Sequence, residues 1–159
     1  MAIIIDACCL SSVFHKTDSL HHKYAPVLDW INKRNGFMIY GGTKYLEEFK
    51  KVKSVVRIVN LLKPHKVIVL DKKIVDKEMA RVKALIPDKE FNDPHLVAIS
   101  IVGRCKIICT RDKKCSKFVR SRKLYPNGFT PPVFYIDETC AKYLNGKYIH
   151  KSYKSHSKK

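Results

Sequence analysis

The 159-residue sequence predicts an α/β fold of three layers, α/β/α, with a central, mostly parallel sheet of about five strands. Two observations carry this expectation. Short apolar runs rich in β-branched residues recur along the chain, and segments of helical period separate them. Continuous apolar strands alternating with helices imply a parallel sheet covered on both faces. The length fits one domain with a proper core, and a hydrophobic content of 45% excludes disorder over most of the chain. That domain is expected over residues 1–146, with a basic tail at 147–159 that has five lysines and no acids.

Taken in order, residues 2–5 read as a strand buried on both faces and ending on Asp6. Residues 8–14 follow as a loop or short helix, with Ser11 and Ser12 as candidate caps. A helix over 24–33 turns Val27, Leu28, Trp30 and Ile31 inward, with Pro26 near its first turn and Asn35-Gly36 as its stop. Residues 37–40 form the second strand, closed by Gly41-Gly42, and Thr43 is the expected N-cap of the next helix. The spacing of Val52, Val55, Val56, Val59 and Leu62 predicts a helix over 51–62 that Pro64 ends. The third strand is 67–70. A helix over 72–85 follows, with Ile74, Val75, Met79, Val82 and Leu85 inward. A helix at 94–102 leads to a fourth strand at 107–109, and 112–120 is a short helix. Pro126, Asn127-Gly128, Pro131 and Pro132 mark 124–132 as a turn-rich loop. A fifth strand at 133–136 and a short helix at 138–144 complete the domain.

Ligand sites in such folds lie at the carboxyl ends of the strands, near the point where strand order reverses. Asp6 leaves the first strand there, and Asp112 leaves the fourth. A carboxylate ending a buried strand is costly unless paired, so the structural alternative for Asp6 is a buried ion pair with Lys or Arg. Asp93 before Pro94 also makes a good N-cap, Asp112 could cap the following helix, and Glu47 and Glu48 could be surface charges. Together these acids place several carboxylates near one end of a sheet in a chain with few to spare, and hard divalent cations prefer such oxygen ligands.

The charge balance points outward. Thirty-two Lys and Arg against 14 Asp and Glu leave +18, far beyond what solubility needs, so the expected partner is a polyanion. No run reaches the roughly 18 apolar residues of a membrane span. The opening MAIIIDACC carries no basic leader, so nucleic acid is expected rather than a membrane. The basic stretch Arg111, Lys113, Lys114, Lys117, Arg120, Arg122 and Lys123 beside Asp112 is the expected phosphate contact. Six cysteines without a C-x-x-C pair read as reduced thiols, mostly core filler; Cys105, Cys109 and Cys115 fit no standard zinc spacing.

Four short motifs in order carry a family resemblance: IIIDACCL with Asp6, TKYLEEF with Glu48 (Glu47 if the helix is turned by one position), DPHLVAIS with Asp93, His95, Ala98 and Ser100, and IICTRDKKCSKF with Thr110, Asp112 and Phe118. Across residues 2–136 the chain resembles the PIN-domain ribonucleases, the class that includes the VapC-type toxins. The resemblance implies a cytoplasmic, Mg²⁺- or Mn²⁺-dependent endoribonuclease. Asp6, Asp93 and Asp112 would be its metal ligands, and Glu48 would orient or deprotonate the attacking water. Thr110 could orient a ligand or water, and His95 is a packing or supporting residue rather than a ligand. The implied partners are RNA, a cognate antitoxin and a second copy of the chain. Lys114 stands where many relatives carry another acid, which disfavours a full second metal site. Without metal, mutual repulsion is expected to raise at least one of the carboxyl pKa values. The competing reading is a catalytically silent PIN-type nucleic-acid-binding module working within a complex; a flap-endonuclease-type DNA nuclease ranks below both.

Overall fold

The computed structural model describes residues 2–33 and 36–145. The expected domain end at 146 and the basic tail lie outside them. The order of elements is β1 (Ala2–Ile5), α1 (Ala7–Phe14), α2 (His21–Lys33), β2 (Phe37–Gly41), α3 (Thr43–Lys51), α4 (Lys53–Lys66), β3 (Val67–Leu70), α5 (Lys72–Leu85), α6 (Pro94–Val102), β4 (Ile107–Cys109), α7 (Lys113–Val119) and β5 (Val133–Tyr135). Short 3-10 turns occupy Arg122–Leu124 and Glu138–Tyr143.

All five strands are parallel, in the order β3-β2-β1-β4-β5. The chain therefore builds outward from β1 in one direction, then returns to build β4 and β5 on the other side. The reversal falls between β1 and β4, where Ile5 lies opposite Cys109. Ile3, Ile4, Ile5, Ile107, Ile108 and Cys109 are fully buried, as continuous apolar strands in a two-sided parallel sheet must be.

Helix α6 is the most enclosed of these helices. Its sequence PHLVAISIV is apolar almost all round, which suits a helix packed on every side, and Pro94 through Ser100 are buried. It packs against α5, β1, β2 and β4, and its first residue follows Asp93 directly. Burying this helix is what brings Asp93 to the sheet.

Several boundaries and caps differ from the sequence expectations. The cap of α1 is Asp6, whose side chain accepts from the Cys8 N–H, rather than Ser11 or Ser12. Helix α2 starts at His21, so Pro26 sits inside it. Pro64 does not end α4, which runs on to Lys66. Ile74 and Leu85 are 56% and 45% exposed, because α5 buries mainly the Val75 and Val82 side of its surface. The last predicted helix is 3-10.

Thr43 is not the N-cap of α3. Its N–H and hydroxyl both donate to the Asp76 carboxylate, at 2.7 and 2.5 Å, and Gly42 takes the cap position with φ +82° and ψ 155°. That conformation is essentially restricted to glycine. A Cβ at Gly42 would also lie 2.6 Å from Val75 Cγ1, a buried side chain. Gly42→Ala should therefore cost about 2–4 kcal/mol from backbone strain and overpacking together. Urea unfolding measures it, and a loss below about 1 kcal/mol would show that α3 adapts without strain.

Candidate active site at the sheet switch point

Asp6 follows the carboxyl end of β1, where that strand pairs with β4. The Asp6 N–H donates to the Cys109 carbonyl at 2.9 Å, and the Tyr45 hydroxyl donates to the Ile5 carbonyl at 2.5 Å. These contacts fix the backbone around Asp6, whose side chain is 6% exposed. Its carboxylate is satisfied by hydrogen bonds, not by the buried Lys or Arg partner expected as the structural alternative. Oδ1 accepts from the Cys8 N–H at 3.3 Å; Oδ2 accepts from the Thr110 hydroxyl at 2.6 Å and from the Cys8 thiol at 3.2 Å. The Thr110 hydroxyl in turn accepts from the Asp112 N–H at 3.0 Å. Thr110 thus joins the exits of β1 and β4 through one oxygen, and it orients Asp6.

Asp93 stands at the N-terminus of α6, yet its side chain makes no capping hydrogen bond. The local reading of this residue as a cap is therefore not realised by its carboxylate. Burial, then the charge of Asp6, holds its carboxyl above the usual range; His95 and the Cys115 thiol oppose the shift, and Asp112 adds to it. The Asp93 carboxyl is thus raised first by its own burial, with the charges of Asp6 and Asp112 adding to the shift. Asp112 keeps a second duty: its Oδ1 caps α7, accepting from the N–H groups of Lys114 at 2.8 Å and Cys115 at 3.3 Å. The buried Cys115 thiol is pushed up by burial and by the charges of Asp93 and Asp6.

Glu48, not Glu47, turns inward; Glu47 is exposed. Glu48 Oε1 lies 3.0 Å from Lys44 Nζ, and Oε2 lies 3.4 Å from His95 Nε2, an ion-pair distance without hydrogen-bond geometry. His95 is 1% exposed, and its Nδ1 has no hydrogen-bond partner. His95 first, then Lys44, bring the Glu48 carboxyl down to about 2. A carboxylate that acidic accepts protons poorly at neutral pH, so the arrangement suits orientation and charge rather than the water-deprotonating role. Because the folded value lies below the ordinary 4.5, the pair stabilises the fold above pH about 4.5, and that contribution is lost as pH falls toward 2. Glu48→Gln should therefore be less stable than the unaltered chain at pH 7, with the two urea midpoints converging as the pH is lowered through this window. A pH-independent gap would mean that packing, not charge, holds Glu48.

Among the described residues no group of three or more His, Cys, Asp or Glu side chains is already arranged to hold a metal ion. The donors available to a hard cation such as Mg²⁺ or Mn²⁺ are carboxylate oxygens: those of buried Asp6, half-buried Asp93, whose carboxyl is raised by burial and then by the charge of Asp6, and exposed Asp112. Mg²⁺ retains several waters and needs only one or two carboxylates directly. The cysteines do not compete for that role. All six are free thiols, and Cys105 donates to the Ala2 carbonyl at 3.2 Å.

Arg111, Lys113, Lys114, Lys117, Arg120, Arg122 and Lys123 are all exposed, but they diverge. Arg111, Lys113 and Arg120 line two cavities of about 330 and 490 Å³ beside Asp112. Lys114 and Lys117 line neither cavity, and Lys117 Nζ lies 5.5 Å from the Phe118 ring. Arg122 donates to the Phe129 carbonyl at 3.1 Å and so holds the 124–132 loop. Sequence reasoning missed Lys44, although its place four residues before Glu48 on one helix was a readable signal. It also missed Cys115 as a neighbour of Asp93, for which no sequence pattern exists.

Among the described residues no helix is long and apolar enough to cross a membrane. No protein-family model, no curated protein and no solved structure matches the chain.

Proposed function

We propose that this chain is a Mg²⁺- or Mn²⁺-dependent endoribonuclease that hydrolyses RNA phosphodiester bonds, as the toxin of a toxin–antitoxin pair or a related RNA-targeting effector. The observation that supports the reading is the link between the exits of β1 and β4, where the Thr110 hydroxyl donates to Asp6 and accepts from the Asp112 N–H, with the nearby Asp93 carboxyl raised by burial and then by the charges of Asp6 and Asp112. The four motifs of the PIN resemblance and the +18 charge support it from the sequence side. A cytoplasmic location, a cognate antitoxin and a homodimer belong to the same proposal.

Asp6, Asp93 and Asp112 would hold the divalent ion, which supplies charge neutralisation at the scissile phosphate and acidifies water. Thr110 keeps Asp6 in place by donating to Oδ2. Glu48, kept ionised by His95 and Lys44, holds negative charge beside the cluster and can orient water by accepting its protons in hydrogen bonds. Lys113 and Arg111 offer cations for the phosphates on either side of the cut.

A second reading, a catalytically silent nucleic-acid-binding module, is favoured by one observation: the Glu48 carboxylate is already committed to Lys44 and His95. Incubation of the full chain with end-labelled single-stranded and structured RNA separates the two. The nuclease reading expects discrete products with Mn²⁺ or Mg²⁺ and none with EDTA. Intact RNA in both conditions, with retained binding, would establish the silent module instead.

A further inference from the structure

The two cavities beside Asp112 share Lys113 and Ile136 as a common rim. The smaller has one wall on α2 and one at the exit of β5, and these walls are tied together. The Tyr24 hydroxyl donates to the Ile136 carbonyl and the Tyr135 hydroxyl to the Lys23 carbonyl, each at 2.9 Å. The cavity is therefore preformed by packed elements. Between them the cavities present four cations, Lys23, Arg111, Lys113 and Arg120, against two carboxylates, Asp112 and Asp137. Asp137 is engaged with the Thr139 N–H and hydroxyl, and Asp112 with the cap of α7. The net charge of this lining suits a polyanion.

The larger cavity has a different character from a phosphate site. Beyond its cations it is walled by Pro132, Val133, Phe134, Ile136 and Tyr143. A phosphate gains nothing from apolar walls, whereas an unstacked base has an apolar face to bury and polar edges to satisfy. Its volume, about 490 Å³, lies within the roughly 300–1,000 Å³ of small-ligand pockets. Arg120 stands over Phe134, guanidinium carbon 5.2 Å from the ring centroid, while remaining exposed. A guanidinium seated on an aromatic ring is pre-organised and presents donors only. Two hydroxyls here are already engaged, Ser116 donating to the Lys113 carbonyl at 2.7 Å and Thr110 to Asp6 Oδ2 at 2.6 Å, while Lys113 is a single flexible ammonium at the rim rather than a planar fork. A donor fork selects a base edge with two adjacent acceptors, and guanine O6 and N7 are that edge.

We infer that the larger cavity is a nucleobase subsite that takes a guanine next to the reacting phosphate, and that Arg120 is the residue that determines this preference. Tyr143 and Ile136 supply the apolar surface for the base, and Lys113 at the rim takes the adjoining phosphate. The inference rests on the RNA reading above and adds the base that the site selects.

The test reads binding, not cleavage, so it stands apart from the nuclease assay. Fluorescence anisotropy is measured on the full chain in EDTA at low salt. The probes are labelled oligo-uridine octamers carrying one central G, A or C, and the all-U parent. The G-containing octamer should bind about fivefold tighter or more than the other three. Arg120→Lys, which keeps the charge and loses the planar fork, should bring the four together while still binding the all-U parent. Tyr143→Leu should weaken all four. Equal binding of the four by the unaltered chain overturns the subsite, as does a G preference that survives in Arg120→Lys or an absence of binding to every octamer. A G preference without cleavage in Mg²⁺ or Mn²⁺ would sink the nuclease reading and leave the subsite standing.

Discussion

Asp6→Asn should abolish metal-dependent RNA cleavage while leaving the fold intact. The substitution keeps size and shape and removes one charge. An asparagine carbonyl can still accept from the Cys8 N–H, and the Thr110 hydroxyl can turn to accept from the new amide while retaining the Asp112 N–H contact. Removing Asp6's charge also relieves the repulsion that raises the Asp93 carboxyl. The net change in stability should therefore be small, about 1 kcal/mol or less. Cleavage is another matter, because a neutral amide is a poor partner for a divalent cation. Transition-state stabilisation of several kcal/mol, at about 1.4 kcal/mol per factor of ten, corresponds to a loss of about three orders of magnitude. Cleavage time courses in Mn²⁺ alongside thermal unfolding check both halves. Wild-type rates in the variant would show that the acid cluster is not the reacting centre.

The elements whose pattern was local were legible from the residues alone. Residues 67–70, 72–85, 94–102 and 107–109 are bounded in the structure as the sequence predicts, because each is a run of one period cut off by a turn former or a charged residue. Two of the misreadings share a cause: a partner distant in sequence. Thr43 has the side chain of a good cap, but Asp76 on α5 claims its hydroxyl, so a glycine must take the cap position. Ile74 and Leu85 fit the inward stripe of α5, yet that helix meets α6 over a narrower face and leaves them in solvent. The proline rule failed at Pro64, where α4 continues for two residues beyond it.

The site was legible as a set of residue types and illegible as a wiring diagram. That Asp6 and Asp112 should share a sheet edge followed from both leaving strands at their carboxyl ends. The choice between Glu48 and Glu47 needed the packing of α3, which puts Glu48 against His95 on α6. The chemistry assigned to Glu48 changed with that placement, since a carboxylate paired on both oxygens is held ionised rather than poised to take a proton. Asp112 does cap α7, through Oδ1 alone, so its second oxygen leaves the proposed site role compatible with the cap. The basic stretch divides for a similar reason. A seven-residue helix turns successive cations to different sides, so only some of the run reaches the cavities.

Thr110 carries the other large expectation. It is 1% exposed, and its single oxygen donates to Asp6 and accepts from the Asp112 backbone. Thr110→Val keeps the branched shape but leaves Asp6 Oδ2 with only the Cys8 thiol and the Asp112 N–H with no hydroxyl to meet. A buried charged acceptor that loses its strong donor should cost about 2–3 kcal/mol, readable as a lower urea midpoint. Because Thr110 positions the carboxylate proposed to bind the metal and does not itself touch substrate, activity or metal affinity should fall about 10–100-fold. Thr110→Ser, which restores the hydroxyl, should recover most of both. The cycle with Asp6→Asn decides whether the residue acts through Asp6. If it does, Thr110→Val should cost far less residual activity in the Asp6→Asn background than in the unaltered chain, a coupling expected only of residues in one network. If the two losses simply multiply, Thr110 serves the fold at the β4 exit and has no part in holding Asp6 for chemistry.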